Sequence, residues 1–334
     1  MNERAVAHGG DLDRARRRFP DAPEPWIDLS TGINPIVYPL PPLAPDVWTR
    51  LPQASDVAGL ELVAAGAYGA TPGGQIVAAP GTQALIQWLP RLFAAKRVGI
   101  LQTTYEEHAA AWRWTGAVIE NVKESSALAE FDVAILVNPN NPDGRLIVPA
   151  DLTRLAQHFA ASGGLLVIDE AFMDVVPGQS FAPHLPGRGT VILRSFGKIF
   201  GLAGLRLGFA IAGRDFAETL RGALGPWPVS GPAIRVGTLA LQDRHWLRRA
   251  TERLARDAAR LDEVLDDAGF IVCGGTILFR LVAHPDAAGW FERLGRAGIL
   301  VRLFDERPDQ LRFGLPGSDE AWQRLSAVLV RGRD

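Results

Sequence analysis

Lys198 stands in the run S-F-G-K-I-F-G-L-A-G-L-R-L-G-F and is one of three lysines in a chain that carries 32 arginines. Charge alone gives such a chain little reason to keep a lysine. Lysine can lose its proton near neutral pH and attack a carbonyl, which arginine cannot do. A desolvated ε-amine beside cationic groups is a common way to join a carbonyl compound covalently. Read in isolation, a lysine in a glycine-rich loop is a surface residue. The polar residues that accompany it decide between the two readings.

Ligands of open α/β sheets bind beyond the carboxyl ends of the strands, and four predicted strands end in polar groups. Strand 75–79 runs through A-P-G-T-Q into a helix, so Gly81, Thr82 and Gln83 offer backbone N–H groups and a hydroxyl at a helix N-terminus. That arrangement serves either a phosphate or ordinary capping. Strand 132–138 ends in N-P-N-N-P-D-G, a forced turn. It either is a plain Asx turn or holds Asn141 over the sheet edge as a neutral donor to a phenolate oxygen. Strand 165–169 ends in Asp169, whose carboxylate is costly to bury without a cationic partner. That partner is one of the many arginines or a protonated ring nitrogen. Strand 190–195 ends at Ser195, three residues before Lys198, and Arg206 follows the lysine by eight. Ser195 and Arg206 can converge on an anion held by Gly81 to Gln83.

Alternating elements have to position these ends. The pattern predicts helix 56–69, strand 75–79, helix 82–95, strand 97–102, helix 105–115 and strand 117–122. Strands 132–138, 165–169, 190–195 and 207–212 follow, with helices 150–162 and 214–224 among them. Runs such as V-A-I-L-V and L-L-V-I-D read as strands buried on both faces, as in a mainly parallel seven-stranded sheet covered by helices. Beyond a Pro-Trp-Pro loop at 226–228 come helices 231–242 and 245–268. The tail reads as strands 270–273, 276–282, 299–304 and 310–314 with helices 286–297 and 318–331, a smaller α+β layer. The expected organisation is an arm over 1–45 that joins the small domain, a large domain over 46–240 and a small domain over 241–334. The arm is rich in proline and has few periodic apolar runs, so it reads as extended chain.

Composition bounds the function classes. A length of 334 residues with 47% hydrophobic content suits a globular protein of one or two domains. Charges nearly cancel at −2, so no basic field invites nucleic acid or an anionic membrane. One cysteine, Cys273, excludes a disulfide framework and a cysteine-based metal site, and no metal is expected. No run of 18 apolar residues predicts a membrane helix, and residues 1–18 lack the apolar core of a secretory signal. A cytoplasmic protein is the economical expectation.

Taken together, the motifs resemble those of fold-type-I pyridoxal-phosphate enzymes, the aspartate aminotransferase superfamily of class I/II, over nearly the whole chain. The resemblance implies a pyridoxal 5′-phosphate cofactor. Lys198 matches the lysine that bonds its aldehyde, and Asp169 matches the partner of its pyridinium nitrogen. Asn141 matches the donor to the ring O3′ and Tyr105 the stacked aromatic. Gly81, Thr82, Gln83, Ser195 and Arg206 match the phosphate cup. Arg312, in L-R-F-G, matches the arginine that grips a substrate anion.

Within the superfamily the chain resembles the L-threonine-O-3-phosphate decarboxylases of cobalamin biosynthesis, with the histidinol-phosphate aminotransferases as the alternative. The H-G-G at His8, Gly9 and Gly10, the D-L-S-T-G-I-N-P of 28–35 and Phe172, three residues after Asp169, carry the distinction. The resemblance implies that His8, Asn34, Arg302 and Arg312 surround the substrate and that the chain forms a homodimer. Leu51 stands where many relatives have a tyrosine that reaches the neighbouring subunit's cofactor. Gly197 replaces a hydroxyl residue of the transaminases. A non-catalytic protein, either a cofactor-binding regulator or an assembly partner for a later corrinoid enzyme, is the reading from another class, and the intact lysine and aspartate count against it. His108 in E-E-H reads as a helix-surface residue, Trp112 and Trp114 as core or interface, and Trp227 as lining a hinge or a pocket mouth. The arginine-rich stretch 245–260 reads as a solvated face.

Overall fold

The computed structural model describes residues 8–70 and 75–331. Residues 1–7 of the predicted arm and 332–334 of the predicted small domain lie outside them. The chain divides into two compact units. One comprises the segments up to Val37, from Pro142 to Gly144 and from Arg248 onward; the other comprises Tyr38–Asn141 and Arg145–Leu247.

The larger unit is built on seven strands: β1 (Gln75–Ala79), β2 (Arg97–Leu101), β3 (Val118–Val122), β4 (Val133–Val137), β5 (Leu165–Asp169), β6 (Thr190–Ser195) and β7 (Gly208–Ala212). Among the described residues they form one sheet in the order β1-β7-β6-β5-β4-β2-β3. Every pairing is parallel except those of β7, which runs antiparallel to both β1 and β6. The apolar runs of β4 to β7 are buried at every position. Water is excluded from both faces, as a helix-covered parallel sheet requires. Helix α1 (Ala54–Tyr68) begins where the Asp56 carboxylate accepts the Gln53 N–H at 2.8 Å. It ends at Gly69 in the left-handed region, φ 68°. Helices α2 (Thr82–Leu92), α3 (Glu107–Arg113), α4 (Pro149–Ser162), α5 (Arg214–Leu224) and α6 (Gly231–Gln242) follow. One core joins Val77, Ile100, Ile135 and Val167 of the sheet to Leu85, Leu89, Trp112 and Leu220 of the helices. Trp112 is therefore core, whereas Trp114 is exposed.

In the smaller unit, four strands form an antiparallel sheet: β8 (Ile271–Thr276), β9 (Phe279–Ala283), β10 (Arg302–Phe304) and β11 (Arg307–Gly314), in the order β10-β11-β9-β8. Helix α7 (Arg244–Asp267), which belongs to this unit from Arg248 onward, buries Leu254, Ala258, Leu261 and Leu265 along one stripe, the spacing of an amphipathic helix. Its arginines 248, 249, 256 and 260 are exposed, but Arg253 is half-buried. The single strand expected over 299–304 is two short ones. Ile299–Leu300 pairs in parallel with Ile27–Asp28, and β10 pairs with β11. The proline-rich N-terminal segment is not wholly extended. Leu12–Arg18 is a helix whose N-cap, Asp11, accepts the Arg14 N–H at 2.9 Å. It buries only Ala15, so no apolar stripe announced it.

Candidate active site

The antiparallel strand β7 explains how distant segments reach one edge of the large sheet. Its partners β1 and β6 run the opposite way, so β7 starts where they end. Gly208 is paired with both Ala79 at the end of β1 and Ser195 at the end of β6. A Cβ on Gly208 would lie 2.6 Å from the Thr82 nitrogen, so only glycine lets the segments meet this closely. Arg206, two residues before Gly208, is thereby delivered to the Gly81–Thr82 turn. The turn itself is extended with φ 85° and ψ 160° at Gly81, a region open essentially to glycine alone. A Cβ there would stand 2.7 Å from Arg206 Nη2. Helix α2 starts at Thr82 with no side chain capping it and no acidic residue in its first turn. The Gly81 N–H itself donates to Ala79 O at 2.7 Å. The first N–H groups of the helix, a guanidinium and the half of a helix dipole that attracts anions thus share one place.

Next along the edge, β5 carries Asp169. Its carboxylate is buried, with Oδ1 accepting the Ala171 N–H at 2.9 Å and Oδ2 lying 2.9 Å from His108 Nε2. With Asp169 ionised, that contact places a proton on Nε2, because a carboxylate oxygen only accepts. His108 is 1% exposed. The expectation of a helix-surface histidine is corrected: the first turn of α3 faces the sheet edge, and His108 buries its ring against Tyr105 in an edge-on contact at 6.2 Å. Its usable sequence signal was its place three residues after Tyr105, on the same side of the helix start. Tyr105 is half-buried, its hydroxyl 3.4 Å from Gln83 Oε1. The Gln83 amide donates to Glu107 Oε2 at 2.5 Å. Gln83 therefore offers an anion its backbone N–H, its side chain being engaged elsewhere.

Lys198 follows the end of β6 by three residues and is half-buried, its Nζ 5.4 Å from the centre of the Phe172 ring. Because Phe172 is three residues beyond Asp169, Lys198 and Asp169 share an edge rather than opposite sides of the sheet. The turn that carries the lysine is tight: a Cβ on Gly197 would lie 2.8 Å from the Ala203 Cα, so a hydroxyl residue there requires the backbone to move. Asn141 is half-buried beyond β4. The preceding Asn140 ties that turn to the segment after β2, its Nδ2 donating to Thr103 O at 2.8 Å. The residues present fit a pyridoxal phosphate. They offer a cradle at Gly81 that a Cβ would fill, a buried carboxylate for a ring nitrogen and an amine at the same edge.

The smaller unit gathers the remaining expected residues. The backbone of the N-terminal H-G-G is docked on Ser30: Gly10 N–H donates to Ser30 Oγ at 2.7 Å, and a Cβ on Gly9 would lie 2.3 Å from Ser30 O. Arg312 Nη2 donates to that same Ser30 O at 2.6 Å. Asn34 is buried, and its Oδ1 accepts from Ile36 N–H at 3.0 Å and Arg253 Nη2 at 2.7 Å. Arg302 and Arg312 are direct cross-strand partners of β10 and β11. Like charges so placed repel each other, an arrangement that suits a bound anion. His8 is exposed. A cavity of about 330 Å³ lies elsewhere in the larger unit, lined by Pro52, Leu224 and Trp227 over the Glu61–Arg221 ion pair. It shares no residue with the site above and holds no reactive pair.

The chain belongs to the class I and II aminotransferase family, whose profile matches residues 64–325. Among its relatives it is 44% identical to the threonine-phosphate decarboxylase of Pseudomonas aeruginosa over 97% of both chains. It is also 44% identical to the threonine-phosphate decarboxylase of a Sinorhizobium species over 98% of both. A crystal structure of the histidinol-phosphate aminotransferase from Sinorhizobium meliloti in complex with pyridoxal-5′-phosphate covers this whole chain and 96% of its own. Its TM-score is 0.82 and its identity 19%, a likeness of fold. The expectation of a fold-type-I α/β architecture is borne out.

Proposed function

We propose that this chain is a pyridoxal-phosphate-dependent decarboxylase that converts L-threonine O-3-phosphate to (R)-1-aminopropan-2-yl phosphate and CO₂, a step in cobalamin biosynthesis. The observation that carries decarboxylation over transamination is end-to-end identity of 44% to two threonine-phosphate decarboxylases. The geometry of the site is consistent with either reaction. Bound pyridoxal phosphate supplies a ring that takes up the electron pair left when a bond at the substrate Cα breaks. Gly81, Thr82, Gln83, Ser195 and Arg206 hold its phosphate, Asn141 donates to its phenolate oxygen and Tyr105 covers its face. Asp169, fixed by His108 and Ala171, keeps the ring nitrogen protonated. Lys198 Nζ would hold the aldehyde until the substrate amine displaces it, and the freed amine would then carry the proton that takes the place of the departing carboxylate at Cα. His8, Asn34, Arg302 and Arg312 hold the anionic groups of the substrate, and a phosphate ester gives them a handle that leaves the carboxylate free to turn out of the ring plane.

The test is CO₂ release from threonine phosphate by the purified holoenzyme with no 2-oxo acid present. A strict requirement for a 2-oxo acid would establish an aminotransferase instead. The Lys198→Ala variant is expected to lose both CO₂ release and the visible absorption of the cofactor; turnover that persists without added amine removes Lys198 from its role. The working form is proposed to be a cytoplasmic homodimer. Sedimentation should report about twice the 36.1 kDa of one chain, and a particle of chain mass rejects the dimer. Among the described residues, no helix is long and apolar enough to cross a membrane.

A further inference from the structure

Immediately beside the residues assigned to the cofactor, and on none of its ligand positions, the larger unit buries two charges and half-buries a third, Asp174. Arg194 is 3% exposed and Glu170 fully buried. Arg194 Nη1 donates to Glu170 Oε2 at 2.7 Å, and its Nη2 donates to Asp174 Oδ1. Glu170 takes two further donors, Ser180 Oγ–H at 2.6 Å and Phe181 N–H at 2.7 Å. The guanidinium lies over the Tyr68 ring at 4.3 Å. The two carboxylates hold Arg194 above its usual value despite burial. Burial, followed by the Asp174 charge, pushes the Tyr68 hydroxyl up, so it stays neutral.

Such a cluster is a poor way to gain stability, because desolvating three ions costs about what their attraction returns, and apolar side chains of the same volume do as well. What it does supply is register. Glu170 and Arg194 are the immediate neighbours of Asp169 and Ser195. Glu170 also extends the β5–β6 ladder, its N–H donating to Leu193 O at 2.8 Å. Adjacent residues of extended chain point to opposite sides. Pinning Glu170 to Arg194 therefore fixes how far apart Asp169 and Ser195 stand on the opposite side of the strands.

We infer that the Arg194–Glu170–Asp174 cluster is a positioning device that sets the separation of the cofactor's ring-nitrogen partner, Asp169, from its phosphate ligand, Ser195. The inference rests on the proposed function above, in which those two residues hold pyridoxal phosphate. Glu170, Arg194 and Asp174 touch neither cofactor nor substrate; they act through their neighbours.

The experiment titrates pyridoxal phosphate into apoprotein of wild type, Glu170→Gln, Asp174→Asn, Asp169→Asn and, as a control in the same unit, Arg221→Met. Arg221 pairs with Glu61 away from the site. Melting temperatures and the pH dependence of the bound cofactor's visible band are recorded for each. The expected result is a dissociation constant raised about tenfold in Glu170→Gln, the scale on which groups that orient a ligand's partners act. A displaced pH midpoint of the band should accompany it, and Arg221→Met should change neither at a comparable loss of melting temperature. If Glu170→Gln does not fold, Asp174→Asn, at the better-solvated end of the cluster, is read in its place. Cofactor affinity that merely follows melting temperature across all variants overturns the inference. So does wild-type affinity and pH midpoint in both cluster variants. Should Asp169→Asn itself leave the affinity and the band unchanged, the assignment of Asp169 fails first and the inference falls with it. A defect in Asp169→Asn without one in the cluster variants sinks the inference alone.

Discussion

At the scale of single residues, chemistry was legible where residue type and position coincide. A lysine in an arginine-rich chain and an aspartate closing an apolar strand are costly choices, and the structure puts both at one sheet edge. His108 was misread, since a histidine after two glutamates reads the same on a wet helix face as on a buried one and only its spacing from Tyr105 hinted otherwise. Its bond to Asp169 exists only once α3 is laid against the sheet. Gly81 is the residue whose replacement should be most informative. Its φ of 85° and ψ of 160° cost a side-chain-bearing residue about 1–3 kcal/mol, and the new Cβ meets Arg206. Gly81→Ala should weaken pyridoxal-phosphate binding by about tenfold or more while leaving the far-ultraviolet circular dichroism unchanged. Wild-type affinity would show that the turn is not part of the cup.

At the scale of elements, the buried strands announced themselves as short, mainly apolar runs, as a sheet covered on both faces favours. The division of 299–304 was hidden, because one apolar-rich run serves equally as one strand or as two that pair with different partners. Loops carry less pattern but measurable electrostatics. Asp132, just before β4, accepts the N–H groups of Lys96 at 2.8 Å and Arg97 at 2.9 Å, tying the starts of β2 and β4 together. These backbone bonds, and then the nearby cations, hold its carboxyl below the ordinary carboxylate value. A depressed folded-state pKa gives stability that is present above the unfolded value of about 3.9 and is lost as pH falls through the folded value. Asp132→Asn should therefore lower stability at neutral pH and flatten its decline in acid. Parallel urea-denaturation curves of the two proteins between pH 3 and 7, with an unchanged difference throughout, would contradict this.

For the whole molecule, the fold class was readable from the alternation of elements, whereas the segment crossings were not. No local pattern states that Pro142–Gly144 groups with β8, where Asp143 O accepts the Gly275 N–H at 2.8 Å. Nor does one state that Ser30 organises the H-G-G segment and Arg312 at once. The stability of the entire chain should register an anion held at the proposed substrate residues Arg302 and Arg312. An anion that binds only the folded protein stabilises it by about 2.7 kcal/mol at 100 times its dissociation constant. Inorganic phosphate should raise the melting temperature of the wild-type apoprotein, and Arg302→Gln should lose most of that rise. An equal rise in both proteins would place the responsive anion elsewhere.

The reversed strand β7 has a consequence for the order in which the protein matures. β1 joins the sheet only by zipping onto β7, with Gln75 opposite Ala212, so the pairing spans much of the larger unit and its loop-closure entropy is met late. Until it forms, Gly81 and Thr82 have not met Arg206, and a nascent or refolding chain lacks the proposed phosphate cup. Acquisition of pyridoxal phosphate should then be a checkpoint on completed folding. In stopped-flow refolding, quenching by the cofactor should lag behind the recovery of secondary structure, and simultaneous signals would disprove that order.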